Sequence, residues 1–195
     1  MIVFDLETAG LEMSDPIIQI GAVHVAPDWE VLDTFEVKLK FKETEDMEKA
    51  LAQNHYDRKT WKKEALAPVE ALTMFNLFLK KDTTKHWISK TTGSHLQAAQ
   101  LVAYNEQFDT PRLFRHFDHY GFSWVNAYPR SQCVLQLAEW FFRHHTYKGT
   151  KPMSFSLEDV TKTMGVKLTK AHDALADAIA TSKVAARIER KLKWI

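Results

Sequence analysis

Hydrophobic and polar positions alternate with a period of two in three segments near the start of the chain and recur at helical spacing through much of the remainder. Ile2 to Gly10 (IVFDLETAG) is rich in β-branched and aromatic residues and predicts a buried strand. Ile17 to Ala26 and Val31 to Lys40 predict two more, joined as a hairpin through Pro27, Asp28 and Trp29. In the last of these, Phe35, Val37 and Leu39 alternate with Glu36, Lys38 and Lys40, so one face is dry and the other wet. Charged residues from Lys42 to Lys49 open helical or irregular chain. Pro68 then starts a helix in which Val69, Leu72, Phe75 and Leu79 share a face. LVAY (Leu101 to Tyr104) predicts a short buried strand, followed by a helix that begins near Asp109, Thr110 and Pro111 and stops at Gly121. Further helices are expected at Val134 to His145, at Leu157 to Met164 with Gly165 ending it, and from Ala174 to about Lys193. Residues 81–100 are polar, contain Gly93 and lack a period, which predicts a loop or an added lobe.

At 195 residues and 45% apolar content the chain can bury one sizeable core, so residues 1–195 are expected to form one domain. The charge sum, 26 Lys and Arg against 25 Asp and Glu, does not by itself point to a nucleic-acid partner. Basic residues do cluster at Arg58, Lys59, Lys62 and Lys63, and again at Arg187, Arg190, Lys191 and Lys193, where solvated helix faces explain them equally well. One cysteine, Cys133, excludes a disulfide framework and a thiolate zinc site, and fits a reducing compartment. The first strand starts almost at Met1, leaving no room for a signal segment, and no apolar run approaches the roughly 18 residues that span a bilayer. A soluble, cytoplasmic protein with no membrane partner is expected.

Asp5 and Glu7 change the picture. Two residues apart on a strand, they share a face and repel each other, and a buried strand tolerates the pair only beside a cation. Carboxylate oxygens select Mg²⁺ or Mn²⁺ over zinc.

Three local patterns occur in order: FDLETAG at residues 4–10, NEQFD at 105–109 and HDALADA at 172–178. Together they resemble the DEDDh 3′–5′ exonuclease family, of the RNase T, oligoribonuclease and polymerase III proofreading-subunit type. The resemblance runs from the first strand to the last helix. It implies an α/β, ribonuclease-H-like mixed sheet, with three antiparallel strands and then parallel ones, flanked by helices. It also implies that Asp5, Glu7, Asp109 and Asp177 hold two divalent cations, Mg²⁺ or Mn²⁺, that His172 is the general base, and that Thr8, Leu11, Asn105 and Phe108 contact substrate. The expected partners are 3′ ends of single-stranded DNA or RNA; the oligomeric state is not readable from the sequence, and the resemblance allows a homodimer since some relatives pair.

On one continuous helix, residues five apart point about 140° from each other, so His172 is placed in the loop before the last helix and Asp177 on that helix's second turn, with Asp173 as the cap. Small Ala174, Ala178 and Ala185 would let the helix approach the sheet. The chain departs from the family at Ala9, where a second Thr or Ser is usual, and at Glu106, where a small residue is usual. Its substrate-contacting His-Gly segment is not clearly present, and Asn54, His55 and Tyr56 are the nearest candidates. Trp61 or Tyr56, beside the basic segment, is a candidate platform for a stacked base, whereas most of the aromatics, with Trp29, Trp61, Trp87, Trp124, Trp140 and Trp194 spread along the chain, are expected in the core.

The function these features predict is stepwise hydrolysis from a 3′ hydroxyl end to 5′-mononucleotides. The alternative from another class is a catalytically silent nucleic-acid binding or adaptor module of the same fold, whose mark would be a lost ligand; all five residues are present.

Overall fold

In the computed structural model, which describes residues 1–90, 92–122 and 125–193, β1 (Ile2–Thr8) lies at the centre of a five-stranded sheet. β2 (Ile17–Val25) and β3 (Val31–Lys38) pair with it as an antiparallel meander, in the order β3-β2-β1. On its other side β6 (Leu101–Ala103) and then β7 (Gln132–Cys133) run parallel to it. The antiparallel-then-parallel sheet expected from the sequence is therefore present. A separate two-stranded sheet, β4 (Lys85–Ile88) with β5 (His95–Ala98), forms within residues 81–100, which answers the loop-or-lobe expectation with a hairpin.

Helices cover both faces. Following β3 are a 3-10 turn at Glu45–Met47, α1 (Glu48–Gln53), α2 (Arg58–Glu64) and α3 (Pro68–Leu79). α4 (Glu106–His119), α5 (Val134–His144), α6 (Leu157–Met164) and α7 (Ala174–Leu192) complete the chain. The period of two along β1 divides the core. Ile2, Phe4 and Leu6 pack against α3 and α4 through Leu72, Phe75, Leu113 and Phe117, while Val3 packs on the opposite side with Val160, Ala180, Val184 and Ala185 of α6 and α7. Asp5 and Glu7 follow Val3 in the alternation and so face α7.

Gly21 decides how near α7 can come. It lies opposite Asp5 in the β1–β2 register, and a Cβ there would sit 2.1 Å from the Leu175 nitrogen and 2.2 Å from the Ala174 carbonyl carbon. Only a residue with no side chain lets the start of α7 rest on β2 beside Asp5. Gly21→Ala is expected to cost at least the about 1–3 kcal/mol of an overpacked core, with the strain concentrated where α7 begins. Urea unfolding of the variant checks this, and wild-type stability would refute it.

Four expectations need correction. Val69, placed on the buried face of α3, is 51% exposed, because burial follows Leu72, Phe75 and Leu79 while Val69 lies on the wet side of the first turn. α4 starts at Glu106, three residues before Asp109, so Pro111 lies inside the helix, where it has no N–H to donate to the Gln107 carbonyl. Asp177 is on the first turn of α7. Trp61 is 6% exposed, packed with Ala9, Ile18, Leu51 and Ala65, and its indole N–H donates to the Ile18 carbonyl at 3.3 Å, so it offers no face to a base. Tyr56 is engaged beside it, edge-on to Trp61 and Phe41 with its hydroxyl on Glu43. Trp124 and Trp194 lie outside the described residues.

Candidate active site

Asp5 and Glu7 project from β1 toward the start of α7, where HDALADA shapes the chain. His172 takes a left-handed backbone conformation (φ 59°), turning the chain just ahead of the helix. Asp173 caps α7 by accepting the Ala176 N–H at 3.2 Å, as its sequence position predicted. Asp177, one turn in, points back toward the turn: its Oδ2 accepts the His172 backbone N–H at 3.1 Å. Asp109 arrives from the first turn of α4, which follows β6, the parallel neighbour of β1. The two parallel strands and the two helix starts thus deliver acids from three distant segments to one end of the sheet.

Asp5, Glu7, Asp109, Asp177 and His172 all line a single cleft of about 310 Å³, together with Thr8, Leu11, Asn105 and Phe108. All nine residues that the family resemblance implied for the site are therefore there, whereas Trp61 and Tyr56 are not. Ligand atoms of Glu7, His172 and Asp177 lie within 4.8 Å of one another, and this is the one such group that the described residues contain. Glu7, Asp109 and Asp177 are buried, and His172 is exposed at the rim.

Electrostatics follow from placing four acids together out of water. Burial, and then the charges of Asp109, Glu7 and Asp177, hold the Asp5 carboxyl well above the usual carboxylate range. Burial, with Asp177 and Asp109 beside it, pushes Glu7 up to about 8. Asp109 is raised to about 7 by burial, against the Leu6 backbone N–H and the Arg112 charge that lower it. Asp177 is raised to about 6, again by burial, partly offset by its bond from the His172 N–H. Without a cation the site prefers to hold protons. Moreover, Asp177 Oδ1 is buried and has no hydrogen-bond partner among the described residues. A buried carboxylate oxygen left bare costs free energy that a divalent ion would recover, so this donor set fits hard-cation ligation.

Several residues at the site were not expected from motifs. Gln53, at the end of α1, approaches the His172 ring, Nε2 to Nε2 at 3.3 Å. An amide nitrogen can only donate, so the bond leaves His172 Nε2 as the acceptor. Asn54 is buried and donates to the Thr8 carbonyl at 2.8 Å, and the His55 ring meets the Ala171 carbonyl at 2.9 Å. Of the three residues nearest to the family's His-Gly element, Asn54 lines the cleft, His55 meets the turn before α7 at Ala171, and Tyr56 turns away. Ala50, Tyr104 and Leu157 also line the cleft, and apolar or isolated residues such as these carry no sequence signal. The two departures have local uses: Ala9 is fully buried against α1 and α2, and Glu106 accepts the Ser131 hydroxyl at 2.7 Å.

The fold and the acid cluster define a ribonuclease-H-like protein built around a carboxylate site. The exonuclease family model of the RNase T type matches residues 2–185, and the chain belongs to that exonuclease family. No curated protein matches the sequence significantly. Among solved structures, E. coli exonuclease I in complex with a dT13 oligonucleotide is similar at a TM-score of 0.72 and 20% identity, over 99% of this chain and 42% of that one. The zinc-ion-bound form of an E. coli exonuclease I complex with single-stranded DNA gives 0.72 and 20%, over 98% and 40%. A moderately thermophilic exonuclease I from Methylocaldum szegediense gives 0.69 and 19%, over 98% and 40%. This chain spans about two-fifths of the length of these exonuclease I chains. No described helix is long and apolar enough to cross a membrane.

Proposed function

We propose that residues 1–195 act as one exonuclease domain that hydrolyses single-stranded nucleic acid stepwise from a 3′ end and releases 5′-mononucleotides. The observation that carries this reading is the acid cluster with its bare Asp177 oxygen, in a chain of the exonuclease family. The single-stranded DNA bound by the E. coli structures favours a single-stranded substrate here.

Asp5, Glu7, Asp109 and Asp177 would hold two divalent cations, Mg²⁺ or Mn²⁺. When bound, these would supply Lewis-acid charge stabilisation to an in-line displacement at phosphorus. The chain's own groups do the rest. His172 takes the proton of the attacking water through Nε2, whose lone pair accepts from Gln53 before substrate enters and is released when substrate displaces that amide. Gln53 orients the ring, and the Asp177–His172 backbone bond fixes the turn that carries it. Leu11 and Phe108 offer apolar surface to the terminal bases, while Thr8 and Asn105 line the cleft beside them.

The direct test is digestion of matched RNA and DNA oligonucleotides, labelled at the 5′ end, with and without Mg²⁺ or Mn²⁺. A ladder shortening from the 3′ end that requires metal is expected. Cleavage of a circular single strand would instead mark an endonuclease, and binding without turnover a silent module. His172→Ala should lose about 10²–10⁴-fold in rate, the usual contribution of a general base, while metal still raises its Tm. An unchanged rate would remove His172 from the role of base.

A further inference from the structure

Leu11 is 81% exposed on the β1–β2 loop, yet that loop is tied at both ends to one face of α4. At the near end the Arg112 guanidinium donates to the Leu11 carbonyl through Nη2 and to the Phe108 carbonyl through Nη1 at 2.9 Å. The guanidinium also stacks on the Phe108 ring, 3.5 Å from its centroid. At the far end the Ile17 N–H donates to His116 Nε2 at 3.0 Å, and His116 Nδ1 meets the Arg112 carbonyl at 3.1 Å. The loop is braced from within as well, since Asp15 accepts the Glu12 N–H at 2.8 Å and lies where a Cβ on Gly10 would be.

Packing does not account for this arginine. It is 6% exposed, its Nε has no hydrogen-bond partner among the described residues, and no carboxylate pairs with it among them within ion-pair distance. A methionine would fill similar space without burying a cation. Besides lowering the Asp109 carboxyl through its charge, the guanidinium holds a carbonyl of the loop and a ring of α4 with one rigid plane.

We propose that Arg112 and His116 are positioning residues that fix the β1–β2 loop against α4, so that Leu11 and the Phe108 ring form a preset apolar clamp at the mouth of the cleft. The inference rests on the reading that this cleft takes a nucleic-acid 3′ end. It assigns the clamp's rigidity to two residues that do not themselves line the cleft. Holding the loop in advance removes ordering cost from substrate capture, so losing either tether weakens capture more than chemistry.

The test compares Arg112→Met, His116→Leu, Leu11→Ala and the double variant Arg112→Met/Leu11→Ala on a 5′-labelled oligonucleotide. Hydrogen exchange of the 9–16 segment is measured on each variant alongside. Each tether variant should raise KM about tenfold with kcat changed less than about threefold, and should speed exchange in 9–16 while β1 stays protected. In the Leu11→Ala background, Arg112→Met should add little to KM, because the clamp it positions is already gone. His116→Gln, which keeps an acceptor for the Ile17 N–H, should restore wild-type exchange. If Arg112→Met does not fold, the His116 pair carries the test. Unchanged exchange and KM in the tether variants, or fully additive KM effects in the double variant, would overturn the proposal. A wild-type protein that cleaves no oligonucleotide would sink the exonuclease reading instead, and the exchange data would still decide whether the loop is tethered.

Discussion

Asp177→Asn and Asp5→Asn are each expected to lower turnover by on the order of 10³-fold or more while raising the stability of the metal-free protein. On the proposed reading, ligation by these carboxylates would underlie several kcal/mol of transition-state stabilisation, and about 1.4 kcal/mol corresponds to a factor of ten in rate. Asparagine keeps the shape and a carbonyl oxygen, so the His172 N–H at Asp177 retains an acceptor. It removes a charge that burial and the neighbouring acids already disfavour. The two effects have opposite signs because the negative charge that strains the metal-free site is the same charge that would bind the cations. Turnover of a 5′-labelled oligonucleotide with added Mg²⁺, and thermal unfolding followed in EDTA, measure both. Wild-type turnover in either variant would overturn the metal assignment; lower stability in EDTA would overturn the account of the strain.

The metal-free protein should also lose stability as pH rises from about 4 to about 8, the reverse of a protein held by ionised carboxylates. Glu7 and Asp109 have folded-state values raised to about 8 and about 7, so folding favours their protonated forms. That stabilisation is complete below their ordinary range near 4 and disappears as pH climbs through the raised values. His24 and His116, whose values are lowered by burial, act the other way, adding stability as pH passes their ordinary value near 6.5. The carboxylate contribution is therefore isolated by comparison with Glu7→Gln. A displaced pKa is worth about 1.4 kcal/mol per pH unit, and about 2–4 °C accompanies each kcal/mol in a chain of this size, so a fall of order 10 °C relative to Glu7→Gln is expected. Mn²⁺ should raise Tm more at pH 8.5 than at pH 6.5, since ligands must be deprotonated to bind it. Parallel profiles for wild type and Glu7→Gln would refute the raised Glu7 value.

The site's acids were legible from the sequence because each is fixed by a short local pattern. The alternation along β1 put Asp5 and Glu7 on one face whatever the rest of the chain did. Asp173 capping α7 needs only its own neighbours, as does Gly165, whose left-handed conformation (φ 67°) ends α6. Trp61 shows where such reasoning fails. Its basic neighbours suggested an exposed ring, but side-chain direction on a helix as short as α2 depends on what packs against it, and Ile18 and Leu51 cover it. Val69 fails for the same reason, having the right spacing on a turn that nothing covers.

Taken alone, the sequence determined four of the five strands of the main sheet, though not β7, and most of the helices, which side of β1 bears charge, and which acids and histidine belong together. These rest on period, caps and motif order, all properties of chain segments a few residues long. Tertiary structure alone decided that α7 could settle on Gly21, that α1 would bring Gln53 and Asn54 beside His172, and that Arg112 would reach the Leu11 carbonyl across 101 positions of sequence. Contacts of that kind depend on how whole layers pack, where one absent Cβ or one buried guanidinium selects among approaches that local sequence leaves equal.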